Sequence, residues 1–148
     1  SNGLEVAYHG VNIKPGRAMM TGVMNETLVI CLPGNTIAAS LNTYLFVYPM
    51  LKKLQGETAI YHNYIKASNK ARFKIKQGRV EAVLGSIEAG EFLVTKENKY
   101  GSGMITVLAS SSAILVSSGN NPEILENQEV KIIEFNGRFL DKKVDILN

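Results

Sequence analysis

Two cations bracket a Pro-Gly pair at Lys14-Pro15-Gly16-Arg17. Pro presets φ for the second position of a turn and Gly accepts the positive φ that follows, so these residues read as a type II turn. N–H groups pointing out of such a turn, with Lys and Arg beside them, suit phosphate or another oxyanion. A solvated hairpin turn would use the same residues. A second turn, Leu32-Pro33-Gly34-Asn35, joins an apolar run to a helical pattern. The free N–H groups and dipole at a helix N-terminus favour an anion, although a plain strand-to-helix connection needs nothing more. Thr58 to Val80 holds six cations (Lys66, Lys70, Arg72, Lys74, Lys76 and Arg79) and no acid, with Tyr61, Tyr64 and Phe73 among them. Cations interleaved with aromatics can bind nucleic acid. Here Arg72, Lys74 and Lys76 also alternate with Phe73 and Ile75, as on any half-buried strand. The solvated strand face is the reading adopted, so no nucleic-acid partner is expected. Tyr100-Gly101-Ser102-Gly103-Met104 either offers a hydroxyl and bare backbone to a ligand or is a flexible turn.

Other chemistries lack residues. Cys31 is the one cysteine, which excludes an internal disulfide and a Cys-rich zinc site. It lies in an apolar run and is expected to be an inert core thiol. His9 and His62 have no partner spacing for a metal or a triad. The only Asp residues are Asp141 and Asp145, so the first half of the chain is poor in residues that hold magnesium. The 148 residues are 45% hydrophobic and 20% charged, with a net charge of +3, an ordinary globular balance. No apolar run approaches the roughly 20 residues of a membrane helix. No charged start and apolar core mark a signal peptide. A reducing, cytoplasmic setting without membrane contact is expected. Ser1-Asn2 reads as the remnant of a cleaved tag and is set aside, and the chain is expected to be an excised piece of something longer.

The elements that position these turns fall into two regions. Glu5 to Ile13 reads as a strand, and Ala18 to Gly22 begins its return. Thr27 to Leu32 is a β-branched apolar run, expected to be a strand buried on both faces. Asn35 or Thr36 caps a helix whose apolar stripe is Ile37, Leu41, Tyr44, Leu45, Tyr48, Leu51 and Leu54. Phe46, Val47 and Met50 lie off that stripe, Pro49 is expected to kink the helix, and Lys52 and Lys53 suit its last turn. Beyond Gly56 the period changes. Thr58 to Ala67, Arg72 to Lys76, Arg79 to Ile87, Glu91 to Lys96, Met104 to Ala109, Ala113 to Ser117, Gln128 to Phe135 and Lys143 to Leu147 read as strands. Many short strands between Gly- and Asn-rich turns suggest a small barrel or sandwich.

Taken in order, several segments resemble the C-terminal part of the molybdopterin molybdenumtransferases, the MoeA/gephyrin family of molybdenum-cofactor synthesis. They are Ile13-Lys14-Pro15-Gly16-Arg17, Leu32-Pro33-Gly34-Asn35, residues 45–56, Gln77-Gly78-Arg79 and Gly101-Ser102-Gly103-Met104. The resemblance covers essentially all of the chain. It implies an α+β chain: residues 3–55 as the C-terminal, incomplete piece of an α/β molybdopterin-binding domain, then residues 57–148 as a small all-β barrel-like domain. It also implies insertion of molybdate into adenylylated molybdopterin with release of AMP, using magnesium held mostly by parts of the family that this chain lacks, in a homodimer. On it, Lys14 and Arg17 would hold molybdate or phosphate as catalytic residues. Pro33, Gly34 and Asn35 would shape the pterin-binding loop, and Ser102 would reach in from the barrel. The chain departs from the family pattern at Ala18 and Thr36, where the family usually has Pro, and at Ala82 and Leu84, where it tends to carry an aromatic and an Arg. The fragment alone is expected to be inactive and to self-associate through residues 3–55. The alternative is a non-catalytic binding or dimerisation module whose barrel makes subunit or scaffold contacts.

Overall fold

The structure is a computed structural model and describes residues 3–101 and 104–148. The chain enters as β1 (Glu5–His9) and β2 (Ile13–Lys14), parted at Gly10, and crosses the cationic turn. It returns as β3 (Met20–Met24) and reverses at Asn25 and Glu26 into β4 (Thr27–Cys31). Both reversing residues have positive φ, the geometry that matches the twist of a two-residue hairpin. A helical rod follows in three parts: α1 (Thr36–Asn42), a π-helical turn (Thr43–Val47) and α2 (Tyr48–Leu54). The remainder is β5 (Tyr61–His62), β6 (Ile65–Asn69), β7 (Phe73–Lys74), β8 (Val80–Glu88), β9 (Glu91–Val94), α3 (Thr106–Ala109), β10 (Ala113–Ser117), β11 (Glu123–Ile124), β12 (Glu129–Glu134) and β13 (Phe139–Leu140).

Five of these strands close a barrel in the order β8, β10, β12, β6, β9 and back to β8. All pairs are antiparallel except β6 with β9. Phe73, Val83, Phe92, Leu115, Ile124 and Ile132 fill the interior. Gly85 lets Phe92 cross that interior, since a Cβ there would stand 2.4 Å from the Phe92 ring. The alternate residues of the same strands, Ala82, Leu84, Ile114, Val116 and Ile133, point outward and pack against Ile37, Leu41 and Leu45 of the helix. Period-2 alternation therefore puts one set inside the barrel and the other under the helix, so β8 and β10 are apolar on both faces. β9 takes residues 85–88 along one edge of β8, and β2 pairs in parallel with Val80 and Glu81 further along that edge. The cationic turn is thereby fixed to the barrel.

The structure corrects several expectations. The strand buried on both faces is not Thr27 to Leu32. β4 is the edge of a three-stranded sheet in the order β1, β3, β4, and its residues are exposed or half-buried because no described element forms a second layer on them. Cys31 is accordingly an exposed thiol and not a core one. Met104 to Ala109 is not a strand. Val107 N–H donates to Met104 C=O and Ala109 N–H to Ile105 C=O, and this single helical turn buries Val107 against the helix-facing side of the barrel. Tertiary burial here overrides the β-branched preference of the run. Thr58 to Ala67 divides into β5 and β6, β7 keeps two residues of Arg72 to Lys76, and residues 143–147 form no strand. Lys14–Pro15 is a cis bond, and Gly16 takes the positive φ (123°) expected of it.

The helix starts where the capping residues place it, with the Asn35 side chain accepting from the Ala38 N–H at 3.1 Å. Its apolar stripe then breaks. Ile37, Leu41 and Leu45 are buried, but Tyr48, Leu51 and Leu54 face solvent, Leu54 at 67% exposure. The π turn explains the change of face. It inserts one residue into the helical repeat, which rotates everything after it by about 100°.

Candidate functional site

The two turns singled out by sequence lie at one end of the β1–β3–β4 sheet. β3 and β4 pair with Met20 opposite Cys31, so the segment that enters β3 from Arg17 and the one that leaves β4 toward Pro33 are neighbours. The helix joins them a second time. Asn35 caps α1, and Asn42 in the same helix donates from Nδ2 to the Gly16 carbonyl at 2.8 Å. Seven residues separate these two Asn, about 10 Å along the helix axis. Asn42 is fully buried, and its Oδ1 finds no partner among the described residues. Gly16 lies so close that a Cβ would stand 2.3 Å from that oxygen. Positive φ and this contact together require Gly.

Within the turn, Arg17 is exposed and Lys14 is half-buried. The Lys14 ammonium lies 3.0 Å from Glu81 Oε1. Glu81 belongs to β8, stands beside Lys14 in the parallel pairing, and is only 3% exposed. It also accepts from the Lys76 N–H at 2.8 Å and from Asn98 Nδ2 at 3.1 Å. Asn98 reaches it through Lys96, Glu97 and Asn98, three successive residues with positive φ. Such conformations cost of order 1–3 kcal/mol each for non-glycine residues and persist where surrounding contacts hold them. Here the held contacts are those of Asn98 with Glu81 and with the Lys74 carbonyl.

Pro33 and Gly34 lead openly into the helix, and nothing lies within 4 Å of a Cβ built on Gly34. Asn35 spends its side-chain oxygen on the cap, which leaves its amide for other partners. Ser102 lies outside the described residues. The adjoining Tyr100 packs on the helix-facing core, with its hydroxyl accepting from the Leu84 N–H at 3.4 Å, and burial raises its pKa. The structure therefore places Arg17 and the Pro33–Asn35 loop at one end of the three-stranded sheet, while Lys14, three residues before Arg17, pairs with the barrel. A cavity of about 400 Å³ behind the turn is lined by apolar residues such as Val11, Leu45, Phe46 and Val116, with Asn12 and His62. No Lys or Arg lines it among the described residues.

The acid-free basic stretch is answered across strands. Lys66 pairs with Glu129 at 2.8 Å, Lys70 with Glu91 at 3.3 Å and Arg72 with Glu123 at 2.5 Å. Among the described residues no three His, Cys, Asp or Glu side chains gather as a metal site. Glu81, the buried carboxylate nearest the cationic turn, is already occupied by three donors. These residues do not fit a resident magnesium. No helix of the described residues is long and apolar enough to cross a membrane.

Three residues have places here that the sequence did not assign them. Glu81 is the first acid after the basic stretch and interrupts an apolar strand, a signal that the cation count passed over. Asn42 sits among the buried positions of a helical stripe. His62 has no motif at all, yet its Nε2 lies 3.0 Å from the Tyr44 carbonyl and 3.3 Å from that of Leu45. In the π turn the Tyr48 N–H bonds Thr43 C=O, five residues back. By the same count the Tyr44 carbonyl would await residue 49, which is Pro and has no N–H. The His62 Nε2–H supplies the missing donor. Burial lowers the His62 pKa, which keeps the ring neutral, with its proton on Nε2.

Residues 66–135 match the family described as the MoeA C-terminal region, domain IV. A molybdopterin molybdenumtransferase from Haemophilus influenzae is 25% identical over 136 residues, which cover 89% of this chain and 34% of the relative. The fold matches the crystal structure of a molybdopterin biosynthesis MoeA protein from Pyrococcus horikoshii, with a TM-score of 0.73 and 28% identity over 87% of this chain and 32% of that one. It also matches a molybdenum cofactor biosynthesis protein from Pyrococcus furiosus, with a TM-score of 0.73 and 28% identity over 88% of this chain and 46% of that one. The chain spans about a third to a half of the length of these relatives.

Proposed function

Because the chain corresponds to the C-terminal part of MoeA proteins, we propose that it is a portion of a molybdopterin molybdenumtransferase and carries that enzyme's oxyanion-holding turn. The observation that carries this reading is that both anion-suited turns are tied to one helix: Asn42 holds the Gly16 carbonyl, and Asn35, about 10 Å away along the axis, caps the helix. In this proposal Lys14 and Arg17 neutralise molybdate, or the phosphate of adenylylated molybdopterin, while AMP is released. Pro33, Gly34 and Asn35 border the pterin. The required magnesium is held outside this chain, and the chain alone turns nothing over. It works in a homodimer, has no nucleic-acid partner and is cytoplasmic. The exposed three-stranded sheet favours a second role beside the first, as an assembly surface.

The test restores the preceding region and measures molybdate-dependent conversion of adenylylated molybdopterin. A charge-assisted contact is worth ~1.5–3 kcal/mol, so Lys14→Ala is expected to lose roughly 10- to 150-fold in activity. Wild-type activity in that variant would sink the assignment. Synthesis of cofactor by the 148-residue chain alone would sink the claim of inertness.

A further inference from the structure

We propose that Glu81 is the positioning residue of the oxyanion site: from the barrel it aims the Lys14 ammonium at the ligand and couples the barrel to the cationic turn. This rests on the reading of Lys14 given above. Three observations converge. The parallel pairing of β2 with β8 sets Lys14 directly beside Glu81, so the two side chains leave the sheet together. Glu81 is buried and receives three donors, from Lys14, the Lys76 backbone and Asn98, which holds its carboxylate in one orientation. The Lys14 side chain is 43% exposed, so a single bond to Glu81 leaves its other ammonium protons toward solvent. The buried oxygen keeps a flexible four-carbon cation at one place, and the open side presents it to an anion. Lys alone would be a mobile point charge, and preorganisation is what such a site gains from a fixed partner.

Molybdate titrated into the 148-residue chain, with the Lys14 ε-methylene signals followed by NMR, tests this. Lys14→Ala is expected to weaken molybdate binding roughly tenfold, and Glu81→Gln to weaken it less, because the loss of a fixed position is partly offset by the loss of a negative charge beside the cation. The double variant should be no weaker than Lys14→Ala, because Glu81 acts through Lys14. In Glu81→Gln without ligand, the Lys14 ε-methylene pair should collapse toward free-lysine averaging. Glu81→Asp, which keeps the charge, should rescue part of both readouts and serves alone if the Gln variant does not fold. Unmoved Lys14 signals in Glu81→Gln, or an equal further loss of binding in the Lys14→Ala background, would overturn the proposal. If no form binds molybdate while Glu81→Gln still frees the Lys14 signals, the positioning claim stands and the oxyanion reading of Lys14 falls.

Discussion

His62 shows how one side chain repairs what another breaks. Pro49 removes a donor from the helix, and the imidazole restores it to the Tyr44 carbonyl while lying against the Tyr44 and Phe139 rings at 4.9 and 4.7 Å. Tyr44 completes the joint by donating its hydroxyl to the Glu134 carbonyl at 2.6 Å, and burial pushes its pKa up to about 12, so the donor stays protonated. His62→Phe should strand the carbonyl and cost about 1–3 kcal/mol in urea unfolding. The lowered His62 pKa also has a sign. The folded state prefers the neutral ring, so its contribution is complete above the ordinary value of 6.5 and is lost as pH falls through 6.5 toward the lower folded value. As pH is lowered from neutral through 6.5, unfolding midpoints should fall in the wild type and fall less in His62→Phe. An equal fall in both would remove His62 as the cause. At Gly16, positive φ and the Asn42 contact make Gly16→Ala destabilising by about 1–3 kcal/mol, read by the same unfolding experiment. A neutral result would mean that the Asn42 clamp yields.

Among the elements, the basic strands test whether charge in sequence survives as charge in space. Strands β6 and β7 and the link between them carry Lys66, Lys70, Arg72 and Lys74, but β9, β11 and β12 bring Glu91, Glu123 and Glu129 beside the first three. Exposed pairs of this kind are worth only 0–1 kcal/mol each in stability. Their larger effect is to lower the positive potential that a phosphate backbone would meet. Six cations on phosphates would give a log–log salt slope of about −4 with single strands. The expected titration of single-stranded DNA or RNA instead shows no tight, steeply salt-dependent binding, and such binding would overturn this account. The helical rod carries a related lesson. Its stripe is apolar throughout, yet the π turn commits only the first half to the barrel and leaves Tyr48, Leu51 and Leu54 outside.

For the whole molecule, the uneven covering of apolar surface matters most. The barrel is apolar inside and under the helix, whereas the β1–β3–β4 sheet leaves Val6, Val23, Met24, Leu28 and Leu32 at 38–51% exposure. Burying such a side chain fully is worth ~1.5–3 kcal/mol, before the entropic cost of association. We expect the chain to self-associate through residues 3–55. Sedimentation at tens of micromolar should show a species larger than the monomer. Leu28→Lys should shift it toward monomer with a smaller effect on thermal stability than a core substitution, because Leu28 belongs to neither apolar core. A monodisperse wild-type monomer would refute the expectation.

Local chemistry wrote much of this into the residue order. The Asn35 cap, the positive φ of Gly16 and the period-2 strands 80–88, 113–117 and 129–134 each depend on a few neighbouring residues, so they were legible. Pairing was not. Lys14 meets Glu81 and Arg72 meets Glu123 across separations of 67 and 51 residues, which only the strand register brings together. The run 27–32 and the strands β8 and β10 are alike in composition, and only the layers packed on them decide which is buried. Met104 to Ala109 turned helical because one turn buries Val107. The extra residue of the π turn cannot be read from apolar spacing, since it depends on His62 arriving from β5 to satisfy a carbonyl that Pro49 leaves bare.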